Sequence, residues 1–372
     1  MKVAIVHEYL NQYGGAERVL EALHELFPEA PVYTLIHDPH SMPDFYQKWN
    51  IRESPYLKRK FIRRHYKSFF FLYPIFVEHF NLREYDLVIS SSYAYAHGVL
   101  TSPSTCHICF CHTPMRFVWV QPDKYREKVS KPLRWIYDGL IHLLRLWDQS
   151  ASQRPDYYIA ASRIVAERVQ RYYRRESVVI HPPIDIARFY SLESQENYYL
   201  LVSRLVLPYK RIDLAIDAFN QLGLPLKIAG DGTDRPQLEK LAKSNIQFLG
   251  HLTGSNLVDA YAKCKALIFP GEDDFGIVPL EANACGRPVI AYRAGGVLET
   301  QIENITAVYF NQPTAHSLME AVQRFETLPV DTNKIRQSAS RFDKEIFKQK
   351  MKDFIDSTLK DYKNRYQFNI IH

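Results

Sequence analysis

The fold is decided by the stretch Pro270-Gly-Glu-Asp-Asp-Phe-Gly-Ile-Val-Pro-Leu-Glu-Ala-Asn-Ala-Cys-Gly-Arg-Pro-Val-Ile-Ala291. The short apolar run at 266–269 before it predicts a strand that is buried on both faces of a parallel sheet. Pro279 suits the first turn of a helix, and Gly286 followed by Pro288 predicts where that helix ends. The stretch is therefore typical of a strand end, an acidic loop, a short helix and the next strand.

The acidic loop has the properties of a ligand-binding turn. Backbone N–H groups at Phe275, Gly276 and Ile277 precede the predicted helix, whose dipole places positive charge behind them. A helix N-terminus at the carboxyl end of a strand binds anions and hydroxyl groups. Asp273 and Glu281 lie eight residues apart across the turn, so both carboxylates can address one ligand. A solvated acidic turn before a core helix is the simpler alternative for this motif taken alone.

On both sides of this stretch, short apolar runs alternate with helical patterns. The runs are 2–7, 32–36, 86–90, 105–110, 157–160 and 177–180 in the first half, and 198–203, 226–229, 245–249, 266–269, 288–292 and 307–310 in the second. Such alternation predicts an α/β fold with doubly wound parallel sheets. The polar run 191–197 interrupts the pattern, so we predict one domain over 1–190 and another over 191–344. A charged amphipathic helix follows.

Length and composition agree with two globular domains. The chain has 372 residues, 46% hydrophobic and 24% charged, which is too long for one ordinary core and too apolar for disorder. No run approaches the ~20 uninterrupted apolar residues of a membrane-spanning helix, and no apolar export signal precedes Glu8. The five cysteines are an odd and sparse set, which favours reduced thiols and a cytoplasmic location.

The positive charge of the chain belongs to its first half. Residues 1–190 carry 25 Lys and Arg against 19 Asp and Glu, whereas residues 191–372 carry 22 of each. A basic half favours anionic partners such as phosphates, an acidic membrane surface or nucleic acid.

The segment 56–76 concentrates this charge. It holds six cations, no acid and interleaved aromatic side chains, a composition typical of segments that lie on anionic membranes. A core helix with a solvated basic face is an equal alternative. Since nothing else in the chain resembles a nucleic-acid-binding module, we expect no nucleic-acid partner.

Two more loops that follow predicted strands carry phosphate-binding features. Arg204 and Lys210 flank a proline-containing loop after the strand at 198–203. Two fixed cations at such a place can hold a diphosphate and stabilise it as it leaves, although solvated basic residues also occur in ordinary loops. Gly230, in the run Ala229-Gly-Asp-Gly232, predicts a turn beside a nucleotide.

A glycine pair, Gly14 and Gly15, opens the first predicted helix. A helix N-terminus after a glycine turn is a natural phosphate site. The pair lacks the full dinucleotide-binding fingerprint, so a simple tight turn is the alternative.

His112 begins the motif His112-Thr-Pro-Met-Arg116 just past the strand predicted over 105–110. Pro114 ends that strand and stiffens the loop, which leaves His112 at the edge of the cleft expected between two such domains. Cys106, Cys109 and Cys111 beside it raise the question of a zinc site. Because side chains alternate faces along a strand, Cys109 and Cys111 point away from Cys106 and His112. Four ligands then do not converge, and we interpret the cysteines as core residues.

Taken together and in order, these motifs resemble those of glycosyltransferase family 4. The family's retaining members use nucleotide sugars and have the GT-B fold, two doubly wound Rossmann-like domains with a cleft between them. The acidic loop is similar to the family's pair of glutamates separated by seven residues, with Asp273 in place of the first. The His-Thr-Pro motif and the runs 85–92 and 96–98 resemble a subgroup linked to bacterial cell-surface polysaccharides.

The resemblance implies transfer of a hexose from a nucleotide diphosphate sugar to a glycan or polyprenyl-linked acceptor. It favours mannose from GDP-mannose, on the inner face of the cytoplasmic membrane. It also implies that residues 345–372 form a helix that crosses back to the first domain. No metal or other cofactor is expected, because Arg204, Lys210 and helix N-termini take the place of the cation that neutralises the leaving diphosphate.

The resemblance assigns roles as well. Arg204 and Lys210 bind the donor diphosphate, Glu281 the ribose hydroxyls, and Asp273 with the backbone near Phe275 the sugar hydroxyls. The residues expected at the donor are Gly14, Gly15, Arg204, Lys210, Gly230, Asp273, Phe275, Gly276, Ile277 and Glu281. Those expected in catalysis are His112, Arg204, Lys210 and Asp273, with His112 and Arg116 on the acceptor side.

Several alternatives stay open at this point. The chain could be a nucleotide-sugar epimerase or a phosphorylase, because both have similar two-domain folds. A non-catalytic membrane-associated binding protein is a third alternative. The aspartate at 273 allows three explanations: the loop lies further inward, the neighbouring Glu272 has taken the role, or the donor sugar differs. We favour the first, because the side chain of Glu272 points the other way in an extended loop.

Overall fold

The computed structural model describes residues 1–57, 65–127, 129–207 and 209–368, and the chain divides into two compact units. Unit 1 comprises Met1–Pro182 and Phe347–His372, and unit 2 comprises Pro183–Ile346. The division falls at the proline pair 182–183, ahead of the boundary predicted after residue 190. The C-terminal helix belongs to unit 1 from Phe347 onward.

Unit 1 is built on a seven-stranded parallel sheet with the order β3-β2-β1-β4-β5-β6-β7. The strands are β1 Val3–Leu10, β2 Val32–His37, β3 Ile51–Glu53, β4 Leu87–Ser92, β5 Cys106–Cys111, β6 Tyr157–Ala160 and β7 Val178–Val179. Strand order reverses between β1 and β4, which pair in the register Val3↔Leu87. The central strands are buried on both faces, as their aliphatic runs predict.

Six helices of the described residues belong wholly or mainly to unit 1: α1 Gly15–Leu26, α2 Tyr73–Glu78, α3 Pro122–Glu127, α4 Arg134–Ala151, α5 Arg163–Arg168 and α13 Lys344–Phe368. The last of these packs on the sheet through Phe347, Met351 and Ile355, which are buried at intervals of four residues and share a core cluster with Ile5. This spacing places them on one helix face.

Unit 2 repeats the plan with a six-stranded parallel sheet in the order β10-β9-β8-β11-β12-β13. Its strands are β8 Tyr199–Val202, β9 Leu226–Ala229, β10 Ile246–Gly250, β11 Leu267–Phe269, β12 Val289–Tyr292 and β13 Ala307–Phe310. Its helices are α6 Ile212–Leu222, α7 Arg235–Leu241, α8 Gly254–Lys263, α9 Ile277–Ala284, α10 Val297–Thr300, α11 Ala315–Glu326 and α12 Thr332–Ala339. Here the strand order reverses between β8 and β11.

The prediction of two doubly wound parallel sheets is confirmed. Every predicted apolar run forms a strand, within one or two residues at its ends except that β1 continues three residues past the predicted end, to Leu10. The edge strand β3 was missed because Ile51-Arg-Glu53 is only three residues long, partly exposed and without an apolar run.

The segment 56–76 differs from the membrane-surface interpretation in its described part. Residues 58–64, which carry five of its six cations, lie outside the described residues. Of the aromatic side chains that follow, Tyr73 and Phe76 are buried, and Phe69 and Phe70 are partly buried against the same core cluster. For this part the packing favours the core alternative, and the membrane-surface interpretation stays a prediction. Across the described ranges, no helix is long and apolar enough to cross a bilayer.

Candidate functional site

Four loops of unit 2 leave the carboxyl ends of neighbouring strands. They follow β9, β8, β11 and β12, which are adjacent in the sheet, so the loops meet at one edge. Open α/β sheets bind ligands at this edge, where the strand order reverses. In unit 2 that place lies between β8 and β11, directly between the basic loop 203–211 and the acidic loop 270–276.

Lys210 and Asp273 meet at this reversal. The ammonium Nζ of Lys210 donates to both carboxylate oxygens of Asp273, at 2.6 Å and 2.7 Å. Both side chains are mostly buried, with 17% and 21% of their surface exposed. The aromatic ring of Tyr209 lies 5.0 Å from Nζ. The ammonium is therefore held in one place by an acid from the neighbouring loop.

Arg204 lies on the same basic loop and is exposed. Its Nη2 is 3.4 Å from the hydroxyl of Tyr209. Tyr209 thus contacts both cations that the sequence analysis selected, although that analysis gave it no role. The signal in the sequence that could have identified Tyr209 is an aromatic residue directly before Lys210 in a predicted loop.

The basic loop is shaped by its contact with the turn after β9. Gly230 has φ +139, and a Cβ there would lie 1.8 Å from the carbonyl oxygen of Ser203. A Cβ at Gly232 would lie 2.3 Å from the carbonyl oxygen of Leu205. Only glycine permits this backbone approach. The two glycines therefore act by holding the loop that carries Arg204.

The acidic loop packs equally closely on the turn after β12, which the sequence analysis did not select. Gly296 donates its N–H to the carbonyl of Asp273 at 2.8 Å. A Cβ at Gly296 would lie 2.2 Å from Cα of Phe275, and one at Gly295 would lie 2.4 Å from the carbonyl oxygen of Asp273. Consecutive glycines after a predicted strand were the signal for such an approach.

We expect Gly296→Ala to displace the acidic loop and to destabilise the protein by about 1–3 kcal/mol, the usual cost of overpacking. The backbone of Gly296 has φ −65, so the effect comes from the added methyl group and not from backbone strain. Gly139→Ala is the matched control, because a Cβ at Gly139 meets nothing within 4 Å. Thermal unfolding of both variants tests this, and an unchanged Tm for Gly296→Ala would contradict the packing account.

Helix α9 begins where the sequence predicts. Gly276 is its N-cap residue with φ +90, and Ile277 is its first residue. The side chain of Phe275 is buried against Phe342, with ring centroids 5.7 Å apart. Because the first N–H groups of a helix have no acceptor within the helix, they are suited to a ligand. The buried side chain of Phe275 therefore anchors the turn that precedes α9.

Glu281 lies inside α9 and is largely buried. Its carboxylate accepts a hydrogen bond from the hydroxyl of Tyr261 at 2.8 Å. Burial, together with the Glu281 charge, holds the pKa of Tyr261 well above its usual value, so the phenol stays a donor. Tyr261 therefore positions the carboxylate that is expected to bind ribose.

The corresponding reversal in unit 1, between β1 and β4, holds a polar cluster around His112. Ser91 at the end of β4 lies 2.8 Å from Nε2 of His112 and 3.1 Å from Nδ1 of His7 on β1. Nε2 of His7 is 3.4 Å from Oε1 of Glu17 in α1. Burial and the neighbouring His7 lower the pKa of His112 to about 3. His112 is thus a neutral imidazole at ordinary pH.

The serines on either side of Ser91 also meet histidines. Ser90 lies 2.8 Å from Nε2 of His107, and Ser92 lies 3.1 Å from Nδ1 of His97. Burial lowers the pKa of His107 to about 3. The three serines that end β4 therefore contact four histidines, two of them through Ser91.

Glu8 closes the same edge of unit 1. One of its carboxylate oxygens accepts from the Ser92 hydroxyl at 3.0 Å and from four successive backbone N–H groups, those of residues 93 to 96, at 2.8–3.1 Å. The residue is fully buried. A carboxylate with this many donors fixes the turn after β4, and with it the position of the serine run.

Two family models match the chain over most of its length. The model described as "Glycosyltransferase Family 4" matches residues 13–188, and the one described as "Glycosyl transferases group 1" matches residues 183–342. The chain belongs to glycosyltransferase family 4. Each model corresponds closely to one of the two units of this family 4 chain. Each unit holds one of the two polar clusters.

Relatives of this family 4 chain match only part of it. An uncharacterized glycosyltransferase of Methanocaldococcus jannaschii is 25% identical over 209 residues, 55% of this chain and 58% of the relative. The O-antigen chain mannosyltransferase RfbU of Salmonella typhimurium is 25% identical over 213 residues, 53% of this chain and 58% of the relative. The chain thus spans little more than half the length of these relatives.

Solved structures show the same fold over the full length. Anabaena HepE, crystallised in complex with UDP, has a TM-score of 0.69 at 16% identity, covering 96% of this chain and 100% of that one. The family 4 chain therefore has the GT-B fold.

The remaining predicted site residues occupy their expected elements. Gly14 is the N-cap residue of α1 and Gly15 its first residue, and Arg116 begins a short helical turn four residues after His112. The donor-side residues after β8, β9 and β11 meet in unit 2, whereas Gly14, Gly15, His112 and Arg116 belong to unit 1.

The cysteines of β5 are distributed as strand alternation predicts. Cys106 shares a core cluster with Ile108 and Phe110, whereas Cys109 and Cys111 belong to a separate cluster. All three are buried free thiols. Within the described ranges, no group of three or more histidine, cysteine or acidic side chains is arranged to hold a metal ion.

Proposed function

We propose that the chain is a retaining glycosyltransferase that moves a hexose from a nucleotide diphosphate sugar to a glycan or polyprenyl-linked acceptor. The observation that carries this proposal is the Lys210–Asp273 pair at the strand-order reversal of unit 2. It supplies a fixed cation at the place where open α/β sheets bind ligands, in a chain that belongs to glycosyltransferase family 4.

In the proposed reaction, the bond between the anomeric carbon and the diphosphate breaks as the acceptor oxygen bonds to the same face of the sugar. The acceptor proton passes to the leaving phosphate oxygen. Lys210 and Arg204 donate to the diphosphate as its charge develops, and the first-turn N–H groups of α9 stabilise the same ligand. Asp273 holds Lys210 in place and accepts from sugar hydroxyls, while Glu281 accepts from the ribose.

We propose mannose from GDP-mannose as the donor, for cell-surface polysaccharide synthesis. The similarity to a relative named an O-antigen chain mannosyltransferase supports this choice. The structural neighbour HepE was solved with UDP and with UDP-glucose, so uridine donors are the natural comparison.

A transfer assay tests the proposed function. The full chain is incubated with GDP-mannose, UDP-glucose and other nucleotide sugars, together with a polyprenyl diphosphate-linked sugar acceptor, and the product is analysed by NMR. We expect a new glycosidic bond with the donor's own anomeric configuration. An inverted product would contradict retention, and an isomerised nucleotide sugar without transfer would indicate an epimerase.

We further propose that unit 1 contacts an anionic membrane through helix α4. Trp135, Ile136, Leu143 and Leu146 lie on one outward face of this helix, and Trp135 is 74% exposed. The opposite face is buried through Ile141 and Leu144, so the outer face does not serve the core.

Charge around α4 supports a membrane rather than another apolar protein surface. Lys124 and Lys131 are exposed just before the helix. Aromatic and aliphatic side chains flanked by cations are typical of helices that lie in an anionic interface.

We expect the double variant Trp135→Ser, Leu143→Ser to bind phosphatidylserine-containing vesicles at least ~10-fold more weakly than the wild type, since each buried apolar side chain contributes about 1.5–3 kcal/mol. Leu241→Ser, which removes a half-exposed leucine from unit 2, is the control. Sedimentation with vesicles at low salt measures the effect. Equal binding of all three proteins would contradict the assignment to α4.

A further inference from the structure

A continuous line of polar contacts connects α1 to His112. It runs from the carboxylate of Glu17 to Nε2 of His7 at 3.4 Å, from Nδ1 of His7 to the hydroxyl of Ser91 at 3.1 Å, and from that hydroxyl to Nε2 of His112 at 2.8 Å. Glu17, His7 and Ser91 are all buried. Of these residues, the sequence analysis selected only His112, and the proposed reaction gives the other three no role.

The single proton of the Ser91 hydroxyl limits how this line can be arranged. A serine hydroxyl donates one hydrogen bond and accepts others. Because Ser91 lies between two ring nitrogens, it can donate to only one of them. The other nitrogen must carry a proton and donate to Ser91.

Glu17 decides between the two arrangements. A carboxylate accepts hydrogen bonds and donates none, so the proton in the first contact belongs to Nε2 of His7. We take this proton as the single ring proton of His7, so that Nδ1 accepts from Ser91. The hydroxyl oxygen of Ser91 is left to accept from Nε2 of His112.

We propose that Glu17, His7 and Ser91 are positioning residues that fix His112 in its Nε2–H tautomer and leave Nδ1 as a hydrogen-bond acceptor. The role of this acceptor rests on the proposed function: Nδ1 would accept a hydrogen bond from a hydroxyl group of the bound sugar. In the other tautomer the same nitrogen would be a donor, and a histidine's function depends on which nitrogen carries the proton.

The tautomer itself is measured by two-bond ¹H–¹⁵N correlation NMR of the ligand-free full chain, with His112→Gln used to assign the His112 signals. We expect wild-type His112 to be protonated at Nε2 and not at Nδ1. Ser91→Ala should give a mixture of tautomers. Glu17→Gln, whose amide donates as well as accepts, should do the same and serves as a second variant if Ser91→Ala does not fold.

Ser90→Ala is the matched control, because it removes a serine–histidine contact of the same 2.8 Å length one residue away, to His107. It should leave the His112 signals as in the wild type. In the transfer assay we expect Ser91→Ala to lower kcat roughly 10- to 100-fold, by analogy with the partners that orient metal-bound histidines, and Ser90→Ala to have a much smaller effect.

These readouts separate the positioning role from the proposed function. Protonation of wild-type His112 at Nδ1, or unchanged His112 signals in both Ser91→Ala and Glu17→Gln, would overturn the inference whatever the activity. An Nε2–H tautomer that depends on Ser91, in a protein that transfers no sugar, would support the positioning role and contradict the proposed reaction.

Discussion

Replacing Lys210 by alanine should lower the rate of sugar transfer by about 10²–10³-fold, the usual cost of removing one donor to a charge that develops in the transition state. Lys210 is the cation that Asp273 holds at the strand-order reversal of unit 2. The loss should appear in both KM and kcat, because Lys210 contacts the donor diphosphate in the bound state and stabilises the charge that grows as the sugar leaves. Arg204→Ala should act in the same direction.

The chain contains a closely matched control for this variant. Lys265 also donates to both oxygens of one carboxylate, Glu326, at 2.6 Å and 2.8 Å, and lies 5.5 Å from the ring of Tyr199. Lys265→Ala therefore removes the same kind of pair from the same unit, away from the loops after β8 and β11. We expect near-normal transfer from Lys265→Ala. Equal losses in the two variants, or none in either, would contradict the role of Lys210.

The second large effect is expected for Asp273→Asn, with a loss of transfer of ~10²-fold, comparable to that from a misplacement of about 1 Å. The amide keeps the shape of the side chain but removes the charge that holds Lys210. Asp273 is one methylene shorter than the glutamate of the family motif, a difference of about 1.5 Å. Even so, its two oxygens lie within 2.7 Å of the Lys210 ammonium.

Glu272→Gln separates this explanation from its alternative. Glu272 is exposed, and its Cγ would lie 3.0 Å from a Cβ added at Gly295. The loop backbone is held by the close approach of Gly295 and Gly296. We expect Glu272→Gln to retain transfer. Donor hydrolysis and transfer are measured for both variants. If Glu272→Gln is severely impaired and Asp273→Asn stays active, the sugar-binding carboxylate is that of Glu272.

The sequence alone is enough to predict both sheets and the edge on which the site lies. Apolar runs such as 226–229 mark buried parallel strands, and loops after strands mark ligand sites. Lys210 and Asp273 were therefore selected for sound physical reasons, although 63 residues separate them. Their direct contact depends on β8 and β11 being neighbours in the sheet. Neither motif predicts that strand order, so the contact could not be predicted from the sequence.

Other parts of the site depend on partners that local patterns do not show. Gly296 matters because Phe275 lies against it, and Ser91 matters because it lies between His7 on β1 and His112, which follows β5. The outer face of α4 was missed for a related reason. Apolar residues occupy both of its faces, so periodicity alone does not indicate which face the core covers.

Thermal unfolding with a panel of nucleotide sugars tests the central claim most directly, because a ligand that binds only the native state stabilises it by about 2.7 kcal/mol at 100 times its Kd. We predict that at least one nucleotide diphosphate sugar, with GDP-mannose the first candidate, raises the Tm of the wild type and of Lys265→Ala by several degrees, and that Lys210→Ala loses most of this shift. A panel in which no nucleotide sugar raises the wild-type Tm, or a shift that Lys210→Ala retains in full, would contradict the assignment of the donor site to the loops after β8 and β11.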